Sequence, residues 1–442
     1  MNHRPTSRIA SRFAQLSLVA ATAALLLPGA AQAVPSFARQ TGLACEACHT
    51  VFPELTPFGR RFKLNGYTID NLPQVSDQST NKEQTLLLNQ LPPLSFMLQA
   101  SVTSTKKAVP DSAVAGANAQ NGQTQFPQQA SLFYAGRIAP NLGAFVQMTY
   151  DGTAGTFGWD NTDIRYAKNV NPNFLWGLSL NNNPTVQDVW NTTPAWQAPF
   201  DQRSATAPSG AAATMLDGGL ADAGVAGLSV YGYWNDSLYA ELGAYRSAPA
   251  VAIPLDSTNT SVVDGVAPYW RLAYERQWGR QSWEFGAYGV NAKMFPGGGI
   301  PLSGPTDRFN DVALDSQYQY IGDESIYSVL GTYIKESQTL DASNPGVNPD
   351  LKTLRVGGSY YYRRQYGAGL GYFSTTGSSD ISATTDTTGW TAELDWIPYQ
   401  NTKLALQYTA YNKFNGASDN YDGTGRNASD NNTLYLLGWI NF

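Results

Sequence analysis

From about Leu94 to the last residue, Phe442, the chain is a succession of short segments in which apolar and polar side chains alternate. Leu404, Leu406, Tyr408 and Ala410 share one face, and Lys403, Ala405, Gln407 and Thr409 the other. Trp390, Ala392, Leu394 and Trp396 alternate with Thr391, Glu393 and Asp395; Trp270, Leu272 and Tyr274 alternate with Arg271, Ala273 and Glu275. A period of two makes each segment a strand with one apolar and one polar face. In a soluble sandwich the apolar face would turn inward. In an outer-membrane barrel it faces lipid and the polar face lines the lumen.

Four features select the barrel. Connector lengths alternate. Short ones fall near Pro140-Asn141, Trp234-Asn235-Asp236, Trp278-Gly279-Arg280, Gly322-Asp323, Arg364-Gln365 and Pro398-Tyr399-Gln400, and long ones near 104–128, 181–220, 247–267, 293–306, 338–350 and 413–430. Short periplasmic turns and long external loops are the barrel pattern. Aromatic residues recur at strand ends, as interface girdles require. No stretch beyond the leader could cross as a helix, so a membrane-spanning chain must be a barrel. The final run Leu434-Tyr435-Leu436-Leu437-Gly438-Trp439-Ile440-Asn441-Phe442 alternates and closes on Phe, which looks like an outer-membrane assembly signal. Sixteen strands are expected, beginning near residues 94, 129, 141, 161, 172, 223, 236, 268, 280, 309, 324, 351, 365, 388, 402 and 432. Sixteen is even, as single-chain bacterial barrels require, and large enough to enclose a wet lumen. Arg137, Arg165, Glu241, Arg271, Glu275, Glu284, Asp311, Asp315, Arg355, Glu393, Asp395 and Lys403 are expected to face that lumen.

The first 33 residues read as a signal peptide. Arg4, Arg8 and Arg12 form a positive start, Leu16 to Leu27 an apolar core, and Ala31-Gln32-Ala33 a cleavage site. Loss of those three arginines leaves 25 of the 28 basic residues against 34 acidic ones, a mature net charge of −9. That balance argues against nucleic acid as a partner.

Between leader and barrel lies Cys45-Glu46-Ala47-Cys48-His49, a CxxCH site, the attachment pattern of a c-type haem. Cys45 and Cys48 would form thioethers to the haem vinyls, and His49 would ligate the iron. They are the only cysteines, and the one other histidine, His3, lies in the leader. A disulfide between Cys45 and Cys48 would close too short a loop to staple a fold. One covalent haem c is therefore expected. Residues 34–93 form this haem segment and its linker, and residues 94–442 the barrel. Thr56 reads as an N-cap, Pro57 as the first helical position and Gly66 as the stop, giving a short helix from Pro57 to Asn65. Phe58 and Phe62, one turn apart, are expected to pack on haem or barrel wall; Arg60, Arg61 and Lys63 could pair with haem propionates, or stay solvated. Residues 68 to 92 read as a linker or irregular plug.

About sixty residues cannot shield a haem and bury a core of their own. The segment also holds no methionine and no second histidine. A sixth iron ligand, if the position is not open, must come from elsewhere. With Leu94, Phe96, Leu98 and Ala100 toward lipid, Ser95, Met97 and Gln99 turn inward. Met97 is the first candidate, with Met294 behind it. Met148 shares the lipid face and Met215 lies in a long loop.

The run Pro35-Ser36-Phe37-Ala38-Arg39-Gln40-Thr41-Gly42, the CxxCH site, and Phe52-Pro53-Glu54-Leu55-Thr56-Pro57-Phe58-Gly59-Arg60-Arg61-Phe62-Lys63-Leu64-Asn65-Gly66-Tyr67 closely resemble the fused outer-membrane monohaem cytochrome–porins. Their best-known members are iron oxidases of iron-oxidising bacteria. The likeness covers about residues 35–67 in detail and the barrel only in architecture, length and terminal Phe. It implies an all-β antiparallel transmembrane barrel plugged by a small α-helical haem segment. In that family electrons from extracellular Fe(II) pass through the haem to a periplasmic carrier, a c-type cytochrome or cupredoxin. No iron-docking motif is visible in the external loops, which carry Asp and Asn but no Cys or His. These offer only hard oxygen ligands. Two alternatives stand beside this reading: a conduit for a different extracellular donor or acceptor, and a porin in which haem is structural or regulatory.

Overall fold

Strand-forming residues and turn-forming residues alternate along the chain, and the fold follows them into a closed cylinder. The structure, a computed structural model, describes residues 35–69, 75–77, 86–109, 123–193, 203–210, 212–248, 261–297, 303–379 and 384–442. The expected signal peptide lies outside these residues. Sixteen antiparallel strands form the wall. They are β1 (Leu94–Thr105), β2 (Gln123–Ala139), β3 (Leu142–Asp151), β4 (Thr156–Asn171), β5 (Phe174–Asn181), β6 (Val225–Trp234), β7 (Leu238–Ser247) and β8 (Ala267–Trp278). Then come β9 (Gln281–Phe295), β10 (Asp307–Ile321), β11 (Ser325–Leu340), β12 (Asp350–Tyr362), β13 (Tyr366–Gly377), β14 (Thr387–Tyr399), β15 (Thr402–Lys413) and β16 (Thr433–Asn441).

Each strand pairs with the next, and β16 returns to β1 with Thr433 opposite Thr105 and Asn441 opposite Met97. Phe442 completes the seam: its N–H donates to the Phe96 carbonyl at 2.8 Å and its carbonyl accepts from the Phe96 N–H at 2.7 Å. Among the described residues the ladder therefore has no open edge, which is the condition for strands in hydrocarbon. The Asn and Gly residues at the short turns adopt left-handed backbone, with φ 64° at Asn141 and 56° at Gly279, as two-residue hairpins require. Two strands start earlier than their sequence pattern suggests, β2 at Gln123 and β4 at Thr156. Pro127 and the run Gly158, Asp160 and Asn161 are poor strand formers, and neighbouring pairing overrides them. Pro172-Asn173, which breaks the apparent strand near residue 172, is the turn between β4 and β5.

The lipid-facing side is apolar. Leu272, Leu394, Leu404 and Leu436 are exposed, Leu394 by 61 %. Trp234, Trp278, Tyr366, Trp396, Tyr399 and Phe442 are exposed near the short-turn end and form its aromatic belt. The chain is thus an outer-membrane β-barrel, and the short-turn end is its periplasmic side.

The inside departs from the expected wet lumen. Arg165, Glu241, Arg271, Glu275, Glu284, Asp311, Asp315, Glu393, Asp395 and Lys403 do face inward, but all are buried. Two inserts lie against most of them, while Glu393, Asp395 and Lys403 pair among themselves on the wall. One is the N-terminal segment, with helices α1 (Pro35–Thr41), α2 (Cys45–Cys48) and α3 (Pro57–Leu64). The other is the connection between β5 and β6, in which Trp190, Thr192, Leu216 and Leu220 are buried. Wall charges meet partners on these inserts. Arg271 pairs with Asp188 at 3.4 Å and with Asp315 and Glu284 on the wall. Ahead of β1, Val75–Asp77 pairs with Leu87–Asn89, so part of the expected linker is a small ribbon.

The mature protein should fractionate with outer membranes and migrate differently in denaturing gels with and without heating. Deleting Phe442 removes two closing hydrogen bonds and the terminal aromatic. The heat-modifiable, assembled fraction should fall at least severalfold, and unchanged assembly would show that the seam does not need this residue.

Candidate functional site

The CxxCH site is held by a short scaffold whose hydrogen bonds are local. Thr56 caps α3, accepting from the Gly59 N–H at 3.0 Å, and its hydroxyl donates to the Ala47 carbonyl between the two cysteines at 2.6 Å. The Thr56 N–H donates to the Cys48 carbonyl at 2.9 Å. The expected cap and stop of this helix are observed; Gly66 adopts φ +69° just past its end. Gly59 is required for the approach: a Cβ there would lie 2.1 Å from the Cys48 carbonyl oxygen. The two phenylalanines expected to pack on haem or barrel wall differ: Phe62 is buried against Phe37 of its own segment, edge-on with centroids 5.2 Å apart, whereas Phe58 is 46 % exposed.

Cys45 and Cys48 occupy one short helix and are not joined to each other. Burial, reinforced by Cys45, pushes the Cys48 thiol up to about 11. His49 lies within hydrogen-bond reach of the Pro53 carbonyl through Nδ1, at 3.3 Å. A carbonyl can only accept, so Nδ1 carries the proton and Nε2 keeps its lone pair. Burial lowers this ring to about 4, leaving it neutral at physiological pH. A half-buried neutral imidazole donating one N–H to a carbonyl is the usual arrangement of a metal-ligating histidine.

Cys45 and His49 border a cavity that is partly open to solvent. Val51, Phe52, Ile397 and Trp439 give it apolar walls, and Arg364 and Lys403 bring positive charge. Phe52 bridges the histidine and the barrel, 5.3 Å from the His49 ring and 5.1 Å from Trp439. The barrel side of the cavity comes from the turns at Arg364 and Gln400 and the end of β16, so it opens at the periplasmic end.

Two of the three α3 cations reach the barrel and the third reaches the β5–β6 insert. Arg60 is buried and pairs with Glu275 at 2.6 Å, and it donates to Gln319 at 2.8 Å. Arg61 pairs with Asp236 and lies over Tyr233. Lys63 donates to the Asp188 carbonyl at 2.9 Å, and burial brings its amine down to about 8. None of the three borders the cavity. A low-dielectric lumen draws them to carboxylates and carbonyls instead. Arg364, which does border it, donates to the Thr50 carbonyl at 3.2 Å and lies 3.5 Å from Glu46. Nothing in the sequence singled out Arg364 or Lys403 for this place, since they sit more than 300 residues from the cysteines.

Met97 faces inward, 4 % exposed, as the alternation requires. It packs with Phe133, Trp439 and Phe52 behind the cavity rather than on its lining, and Gln99 approaches its sulfur at 3.9 Å. Met294 is buried in a separate cluster with Leu216 and Phe309. Met148 is exposed on the lipid face.

No family model matches the sequence, and no curated protein matches it. Among solved structures, the outer-membrane channel DcaP of Acinetobacter baumannii is similar over 79 % of this chain and 96 % of its own, at 12 % identity and TM-score 0.45. OmpF of Salmonella typhi is similar over 79 % and 97 %, at 13 % identity and TM-score 0.46. The anion-selective porin of Comamonas acidovorans is similar over 79 % and 98 %, at 14 % identity and TM-score 0.44.

Replacing Arg60 with Met should leave Glu275 buried without its cation. Breaking such a pair costs about 3–5 kcal/mol. The variant should lose heat-modifiable mobility at distinctly lower urea than wild type, and Arg60→Met with Glu275→Gln should recover much of the difference. Equal resistance of wild type and single variant would show that the pair does not secure the segment.

Proposed function

We propose that this chain is an outer-membrane electron conduit: a single covalent haem c in the barrel takes electrons from extracellular Fe(II) and yields them to a periplasmic c-type cytochrome or cupredoxin. The observation that carries the haem reading is His49. Its Nδ1–H is directed at Pro53, its Nε2 lone pair is retained, and Cys45 borders the same cavity. When bound there, a haem supplies one-electron exchange without any acid–base dyad. Cys45 and Cys48 would attach it and His49 would ligate the iron. Of the cations bordering the cavity, Arg364 would be the one suited to its carboxylates, because Lys403 is already paired with Glu393 and Asp395; Arg60, Arg61 and Lys63 fasten the segment that carries it. Phe52, Ile397 and Trp439 would exclude water from its face and so raise the ferrous preference. Met97, the first inward-facing thioether after the haem segment, would be the candidate for the iron's remaining position, and it packs behind the cavity with Phe52 and Trp439.

Opening of the cavity toward the periplasm suits delivery to a soluble carrier. The same position means that an external donor must enter by the long-loop mouth, where Asp and Asn side chains offer weak oxygen ligands to Fe(II).

Replacing Cys45 and Cys48 by Ser should abolish the haem-stained band of the denatured protein. Stopped-flow mixing of detergent-solubilised protein with Fe(II) should reduce the haem; reduction by dithionite but not by Fe(II) would favour another donor. Met97→Ala should change the haem spectrum and lower its potential, because a thioether ligand favours the ferrous state. An unchanged spectrum and potential would exclude Met97 as ligand.

A further inference from the structure

The carbonyl that orients His49 has a second donor. Asn191, on the β5–β6 insert, gives its side-chain amide to the Pro53 carbonyl at 3.2 Å. The two residues lie 138 positions apart. We propose that Asn191 is a positioning residue that tunes the haem iron by competing with His49 for the Pro53 carbonyl, an inference that rests on the haem reading above.

The insert is built to hold this amide in place. Asp188 caps it, accepting from the N–H groups of Trp190, Thr192 and Thr193 at 3.0, 2.7 and 2.9 Å. Trp190 donates from its indole to Glu275 at 3.0 Å, and its carbonyl accepts from Gln317 at 3.0 Å. The Thr192 carbonyl accepts from the Thr332 hydroxyl. Glu275 also holds Arg60, so the insert and α3 share an anchor. Asn191 itself adopts left-handed backbone, φ +56°, a conformation Asn tolerates better than most residues. It is 3 % exposed, and its side-chain oxygen has no hydrogen-bond partner. The amide on Pro53 is the side-chain hydrogen bond this buried residue makes.

The consequence is electronic. A carbonyl that already accepts from an amide is a weaker acceptor for a second donor. His49 therefore shares its Nδ1 proton less strongly and has less imidazolate character. A less electron-rich axial imidazole favours the ferrous iron. Removing the Asn191 amide should strengthen the His49–Pro53 bond and favour the ferric state.

Asn191→Gly removes the amide and retains the left-handed backbone. In full-length, detergent-solubilised protein with wild-type haem content, a potentiometric titration should show a lowered midpoint potential. A hydrogen bond of ordinary net worth shifts the ferric-to-ferrous ratio by up to about tenfold at fixed ambient potential, which is about 59 mV for one electron. Thr193→Val serves as the control for loosening of the insert. It removes a hydroxyl that binds Asp188 at 2.9 Å and leaves the amide on Pro53 intact; its potential should stay at the wild-type value. An unchanged potential in Asn191→Gly, or an equal fall in Thr193→Val, would overturn the proposal while leaving the haem reading in place. Absence of covalent haem from the wild-type protein would overturn both.

Discussion

Closure of the strand ladder, β16 onto β1, is the constraint from which the other features follow. Backbone groups in hydrocarbon must be paired within the sheet, so the sixteenth strand has to meet the first in register, and Phe442 extends that meeting by one more pair of hydrogen bonds with Phe96. Closure separates an outside that lipid must accept from an inside cut off from lipid, where the inserts leave little room for water. Leu394 and its neighbours satisfy the first requirement. The second creates the demand for internal partners that the two inserts meet.

Those partners are mostly charged, and their arrangement explains how a short N-terminal segment can be fixed without a core of its own. Arg60 from α3 and Trp190 from the β5–β6 insert converge on Glu275. Lys63 donates to the backbone of Asp188, whose carboxylate meets Arg271. Each group would be costly to bury alone, and each is buried beside a counterpart from a different part of the chain. The barrel thus supplies the packing that about sixty residues could not provide, and the segment occupies space that would otherwise be lumen. The cavity beside Cys45 and His49 is left at the periplasmic end, where the turns at Arg364 and Gln400 complete it.

The histidine illustrates how such a composite site acquires its chemistry. Pro53, four residues on, fixes which nitrogen keeps its lone pair; Asn191, from the opposite insert, meets the same carbonyl. Phe52 carries the contact outward to Trp439, and Met97 lies in the same packed layer. The orientation of His49, the insert inside the barrel and the last strand are therefore connected through contacts only one or two residues deep.

Much of this was legible in the sequence because it is local or periodic. Alternation with period two gave the strands, their facing and the inward turn of Met97; connector lengths gave the hairpin order; Thr56, Pro57 and Gly66 gave α3; and the CxxCH spacing gave the haem expectation. Each depends on residues a few positions apart, whose geometry is set by backbone stereochemistry. What tertiary structure alone decided is which distant groups meet inside the closed cylinder. Periodicity shows that Glu275 faces inward but not that Arg60 will reach it, nor that the lumen is occupied by residues of the β5–β6 connection. It cannot place Arg364 and Lys403 beside Cys45, or Asn191 on Pro53. Those contacts join residues separated by more than a hundred positions, and they are selected by the cost of leaving a charge or polar group unpaired where no water can replace its partner.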